Sequence, residues 1–205
     1  KKAGTPTMGG VLIIGSLLFS TLIWCRYDIS YVWIVIFVTL GFGLIGFIDD
    51  FSKLHNNNTR GISGKIRLFL GFLIAACATI WVISIQDPSL SKSLAVPIFK
   101  DVLFNLGWFY IPFSMIVIVG SANSVNLTDG LDGLAIMPVM IASGSLGIIA
   151  YAVGRVDFSN YLEVHYIAGS GEIAVFSAAL IGAGLGFLWY NAPPAAVFMG
   201  DTGSL

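Results

Sequence analysis

The sequence predicts an all-α fold: a polytopic transmembrane helix bundle with about six spans, a small outer hairpin and an interfacial helix. Three observations predict it. Only 10% of the 205 residues are charged, against about 25% in an ordinary soluble domain. The hydrophobic fraction is 57% and the mean hydropathy is +0.90. The apolar residues also fall in uncharged runs, such as Tyr31 to Ile48, of the length that spans a bilayer. A soluble protein this poor in charge could not cover its surface with polar groups. The formal net charge of −1 gives no field that would draw nucleic acid, so no nucleic-acid partner is expected.

The predicted spans run near Pro6–Cys25, Tyr31–Ile48, Leu68–Ile85, Trp108–Val125, Leu134–Val153 and Ile173–Tyr190. Each mixes Gly with large apolar residues, as membrane helices allow. Pro194 suits the first turn of a seventh helix. Between the spans, Ser93–Leu106 carries β-branched and aromatic residues around Lys100-Asp101, which predicts a hairpin. Phe158, Tyr161, Leu162, His165 and Tyr166 recur at helical spacing, which predicts a short amphipathic helix at the interface. Cys25 and Cys77 lack metal-ligand spacing and read as buried thiols. His55 and His165 read as ordinary loop residues. The chain opens on Lys1-Lys2 and stops inside a motif, which predicts an internal segment of a longer membrane protein.

Alternating spans sort the loops onto two sides. One side collects Lys1, Lys2, Lys53, Arg60, Lys65 and Arg67; the other holds Arg26, Lys92, Lys100 and Arg155. Six basic residues against four puts the first side in the cytoplasm.

Four polar clusters fall on that side. KKAGTPTMGG, residues 1–10, brings lysines and threonines, Thr7 among them, to a helix start, where unpaired N–H groups attract anions. Asp49-Asp50 closes the second span, with Lys53 placed to share its helical face. NSVNLTDGLDG, residues 123–133, sets Asp129 and Asp132 beside glycines that let a ligand approach the backbone. Those acids offer hard oxygen to a cation or acceptors to a base and ribose, and the pattern is not that of an EF-hand. NAPPAAVFMGDTG, residues 191–203, puts Asp201 among small residues, with Phe198 offering a flat face to a base. Each cluster alone has a plain reading as an anchor, a solvated pair or a turn. Together, on one face, they point to a phosphate-bearing ligand with Mg²⁺. The acids at 49 and 50 then require a positive partner: a metal, Lys53 or Lys65, or both kinds together. An ion site of a cation transporter is the alternative, but it would want ionisable groups in mid-span, and these spans have none.

The segments KKAGTPTMGG, GFIDDFSK, NSVNLTDGLDGLA and NAPPAAVFMGDTGSL, in that order and spacing, resemble the phospho-N-acetylmuramoyl-pentapeptide-transferases. These are a branch of the polyprenyl-phosphate sugar-phosphate transferases. The likeness covers essentially the whole chain, and TPTMGG with NLTDGLDG is specific to the muramoyl-pentapeptide branch.

The resemblance implies an Mg²⁺-dependent enzyme of peptidoglycan synthesis in the bacterial inner membrane, with its site facing the cytoplasm. Its substrates would be UDP-MurNAc-pentapeptide and undecaprenyl phosphate, and its products lipid I and UMP. It implies Asp49, Asp50 and Asp201 as essential acids. Asp201 matches the Mg²⁺ ligand. Asp49 matches the acid that either deprotonates the lipid phosphate or attacks as a nucleophile. Lys2, Thr7, Asn126, Asp129, Gly130, Leu131, Asp132, Asn191 and Phe198 fall in the substrate-binding motifs, with Phe198 on uracil, and Lys53 and Lys65 match phosphate-side lysines. A homodimer is implied, and so is a single transferase domain that continues beyond residues 1–205 into a bundle of about ten spans.

Overall fold

The computed structural model describes residues 6–55, 61–96, 99–130 and 133–205. Lys1, Lys2, Leu131 and Asp132 lie outside the described residues. The fold is all-α apart from one hairpin. In chain order the helices are α1 (Gly9–Trp24), α2 (Ser30–His55), α3 (Gly64–Ile85), α4 (Tyr110–Thr128), α5 (Ile136–Val153), α6 (Val156–Leu162), α7 (Glu172–Asn191) and α8 (Asp201–Ser204). Strands β1 (Ser93–Val96) and β2 (Phe99–Asn105) pair antiparallel between α3 and α4.

Five of these helices are long and apolar enough to cross a membrane, α4 counting together with the turn before it; α1 is apolar but has only 16 residues. The six predicted spans are thus six helices, one of them short. At 1.5 Å per residue, α1 covers about 24 Å, less than a hydrocarbon core of about 30 Å. It starts at Gly9 rather than Pro6 because Met8 takes a left-handed conformation, φ 72°.

The bundle has little interior. Three small cores hold it: Ile13, Ile136, Met140, Phe187 and Met199 between α1, α5 and α7; Cys25, Val32 and Ile36 at the other end; and Phe42, Ala75 and Val119 where α2, α3 and α4 meet. Large apolar residues such as Leu12, Phe19, Ile148 and Leu185 are exposed. In water such a surface would aggregate; in hydrocarbon it costs nothing, and packing rather than hydrophobicity holds the helices together.

Several expectations shift. Asp49 and Asp50 do not end α2; the helix continues to His55, whose ring stacks on Phe51 at a centroid distance of 6.0 Å. The hairpin forms, but Lys100 and Asp101 lie inside β2, and Val96 pairs with Phe99. The interfacial helix α6 keeps Phe158, Tyr161 and Leu162 but stops before His165, at Glu163 with φ 54°. No helix begins at Pro194. The Pro193–Pro194 bond is cis, and the chain returns to helix only at Asp201. Cys25 is buried as expected, but Cys77 is exposed on α3.

Candidate active site

The site forms where the last turns of α2 meet the start of α8. Asp49, Asp50 and Lys53 share one end of α2, and α8 docks there because both helices offer glycine. A Cβ on Gly46 would collide with the Asp201 carbonyl, and one on Gly10 of α1 with the Gly203 backbone. The close approach these hydrogens permit sets Asp201 beside Asp49 and Asp50. Carboxylate oxygens of all three lie within 4.8 Å of one another.

Lys53 resolves the repulsion. Its ammonium is 2.5 Å from Asp49 Oδ2, one helical turn back, and 2.5 Å from Asp201 Oδ2. Lys53 is therefore a positive partner of Asp49, the first of the two adjacent acids. Lys65, the other candidate, is exposed in the first turn of α3 and does not line the cavity described below.

The two neighbouring acids have different surroundings. Asp50 is buried and accepts three hydrogen bonds: from the Asp201 N–H (3.1 Å), the Thr202 N–H (2.9 Å) and the Thr202 hydroxyl (2.7 Å). It caps α8 and orients Asp201. Asp49 accepts the Ile62 N–H at 2.6 Å and otherwise faces Lys53 and Asp201. On Asp201, Asn126 from the end of α4 donates to Oδ1 (2.9 Å), and the same amide reaches Ser204 at 2.8 Å. Burial pushes the Asp201 carboxyl up, but its hydrogen bonds with Asp49, Lys53 and Asn126 outweigh burial and hold it at about 2. Burial, with the charges of Asp201 and Asp50, pushes Asp129 up to about 6.

Beside these acids opens a cavity of about 360 Å³, lined by Thr7, Asp50, Lys53, Asp129, Gly130, Asn191, Phe198, Gly200 and Asp201. Four chain segments distant in sequence meet in it, so the polar clusters do share one face. The predicted anion cradle at the start of α1 differs from expectation. Gly9 and Gly10 give their N–H groups to the carbonyls of Phe198 and Met199, both at 2.9 Å. Those amides hold the two segments together and are not free for a ligand. Asn191 also serves the scaffold: its Oδ1 accepts the Gly133 N–H and its Nδ2 donates to the Val197 carbonyl, each at 2.8 Å.

Thr202, Ser204 and the Ile62 amide were not singled out in the sequence. The small polar run after Asp201 was a signal for the first two. A backbone amide leaves none. Arg67, in the first turn of α3, has its Nε buried without a hydrogen-bond partner.

A hard cation suits this donor set. The three acids offer only oxygen, and their oxygens lie close enough together for one ion to meet all three.

The family model described as "Glycosyl transferase family 4" matches residues 32–205. The chain belongs to glycosyl transferase family 4. Within this family, residues 2–14 also match the phospho-N-acetylmuramoyl-pentapeptide-transferase signature 1. Curated family members named phospho-N-acetylmuramoyl-pentapeptide-transferase are similar along all of this chain. One from Ruegeria sp. (strain TM1040) is 68% identical, with 57% of its own length covered. Others are from Dinoroseobacter shibae, 65% identical with 56% covered, and Maricaulis maris, 57% identical with 57% covered. The chain thus spans a little over half the length of these family members.

Proposed function

We propose that the protein to which this chain belongs transfers phospho-N-acetylmuramoyl-pentapeptide from its UDP donor to undecaprenyl phosphate, giving lipid I and UMP. The observation that carries this reading is the convergence of Asp49, Asp201 and Lys53 beside a cavity that also holds Phe198 and Asp129. It brings acids, an ammonium and a flat ring to one point at the end of apolar helices. A soluble nucleotide and a membrane-bound phosphate both need such a point. The names of the similar proteins support the same transferred group.

In this reading residues 1–205 are part of a single integral-membrane transferase domain of the bacterial cytoplasmic membrane, working as a homodimer, with the site open to the cytoplasm. Phe198 stacks on the uracil. Thr7, Asn126, Asp129, Gly130 and Asn191 shape the nucleoside end, together with Lys2, Leu131 and Asp132. Lys53 and Lys65 hold the phosphates of two anionic substrates near one another. An oxygen of the lipid phosphate attacks the sugar-linked phosphorus of the donor. The bond from that phosphorus to the bridging oxygen breaks, and the oxygen leaves with UMP. Asp49 takes the proton of the attacking phosphate, and Lys53 holds Asp49 in place. Asp50 acts through Asp201 by fixing the start of α8. Asp201 would hold Mg²⁺, which supplies charge neutralisation at the pyrophosphate when bound. Binding both substrates at one membrane face lowers the entropic part of the barrier.

The test uses full-length protein with UDP-MurNAc-pentapeptide and undecaprenyl phosphate. UMP should form only with both substrates and Mg²⁺ present. No UMP under those conditions would overturn the reading.

A further inference from the structure

Asp49 is held on two sides, and only one of them is Lys53. The other is the segment Gly61-Ile62, just before α3. The Ile62 N–H donates to Asp49 Oδ1 at 2.6 Å, while Lys53 takes Oδ2. One oxygen thus meets an amide and the other an ammonium, and rotation of the carboxylate about its Cβ–Cγ bond is fixed. Gly61 makes this possible. A Cβ at Gly61 would lie 2.6 Å from Asp49 Cγ and 2.7 Å from Oδ2, closer than any side chain tolerates. The nearby Gly64 is different: a Cβ there meets nothing within 4 Å.

We infer that Gly61 is a positioning residue: its missing side chain lets the Ile62 amide seat and orient the Asp49 carboxylate. Gly61 and Ile62 are absent from the cavity lining, and the Ile62 amide meets the site at Asp49. Its influence on turnover runs through Asp49. The inference rests on the transferase reading for its kinetic consequence, but the seat itself does not depend on that reading.

Two measurements on full-length protein separate these. The first is hydrogen exchange at the Ile62 amide, in wild type and in Asp49→Ala. The amide should be protected in the wild type, and protection should fall at least tenfold in the variant. Equal exchange in both proteins would overturn the inference, whether or not the protein makes UMP. The second is steady-state kinetics of Gly61→Ala against Gly64→Ala. Gly61→Ala should lose at least tenfold in kcat with the donor KM within threefold of wild type, and Gly64→Ala should match wild type. If both variants keep full kcat, or both lose kcat and raise KM alike, the segment is only a structural linker and the inference fails. A wild type that forms no UMP sinks the transferase reading, and the exchange measurement then decides the seat by itself.

Discussion

Lys53 lies 2.5 Å from Asp201, although 148 positions separate them in the chain. The contact joins α2 to α8 through a pair of charges with limited access to water. Replacing Lys53 with Met should leave Asp49 and Asp201 facing each other without compensation. An exposed pair contributes about 0–1 kcal/mol and loss of one partner of a buried pair costs about 3–5. Lys53 is part-exposed, so a loss of about 2 kcal/mol is expected. Thermal unfolding of Lys53→Met should start from a lower midpoint than wild type and gain more from added Mg²⁺. Equal midpoints without metal would show that the ion pair contributes nothing.

Asp50 and Asp201 should fail in different ways. Asp50→Ala strands three donors of residues 201 and 202; unpaired buried groups cost about 1–3 kcal/mol each, partly relieved by water. The variant should be measurably less stable, with Mg²⁺-dependent donor binding weakened but present. Asp201→Asn should keep its stability within about 1 kcal/mol and lose Mg²⁺-dependent binding, because a neutral amide is a poorer ligand for a hard cation. Calorimetry of donor binding with and without Mg²⁺ distinguishes the two. The opposite pattern would exchange their roles.

Phe198 is held by its backbone, through Gly9 and Pro6, so its ring can be removed without releasing the segment. Phe198→Ala should weaken the UDP donor by about 1–3 kcal/mol, the range for aromatic stacking on a base. Affinity for undecaprenyl phosphate should stay unchanged. Equal loss for both substrates would mark the ring as packing.

Asp129 gives a pH signature. Its folded-state pKa is raised to about 6, above an unfolded value near 3.9. The folded state therefore binds the extra proton between those values, and stability falls as pH rises from about 4 to about 6. Above that range the ionised carboxylate costs on the order of 1–3 kcal/mol after allowance for solvent. Asp129→Asn should be the more stable protein at pH 7, and the difference should vanish near pH 4. Unfolding midpoints across that range, without Mg²⁺, check it. A wild type that gains stability relative to the variant as pH rises would contradict the assignment.

The face on which the site opens can be tested without activity. Single cysteines at Ser52 and Asn126 should react only with a reagent on the cytoplasmic side, and one at the exposed Asn160 of α6 only from outside. Labelling of positions 52 and 126 from opposite sides would break the common face.

The bundle was legible because membrane helices announce themselves by composition: Tyr31–Ile48 and Leu134–Val153 needed nothing but their missing charges. The grouping of Asp49, Lys53, Asp129, Phe198 and Asp201 was legible because alternating spans leave their loops only two sides to occupy. Other features depend on pairings that local sequence does not encode. Pro194 fits a first turn, but Asn191 ties the loop back through the Val197 carbonyl and the chain stays out of helix until Asp201. The amides of Gly9 and Gly10 looked free, and their partners lie nearly 190 positions away. Asp49 and Asp50 looked alike, yet one meets Lys53 and the other the amides of α8. That difference follows from which way each points around α2, and from where α8 docks.

The lock between residues 6–10 and residues 198–203 also sets a timetable. Helices α1 and α2 leave the ribosome early, and their glycine notches stay empty until Asp201 and Gly203 have been made. At roughly 5–20 residues per second, the 148 positions from Lys53 to Asp201 take on the order of 7–30 s to synthesise. During that interval Asp49 has Lys53, but Asp50 has none of its three donors. The half-made protein must keep that carboxylate hydrated at the membrane edge. An early collapse of α1 onto α2 would bury it unpaired and close the notches against α8.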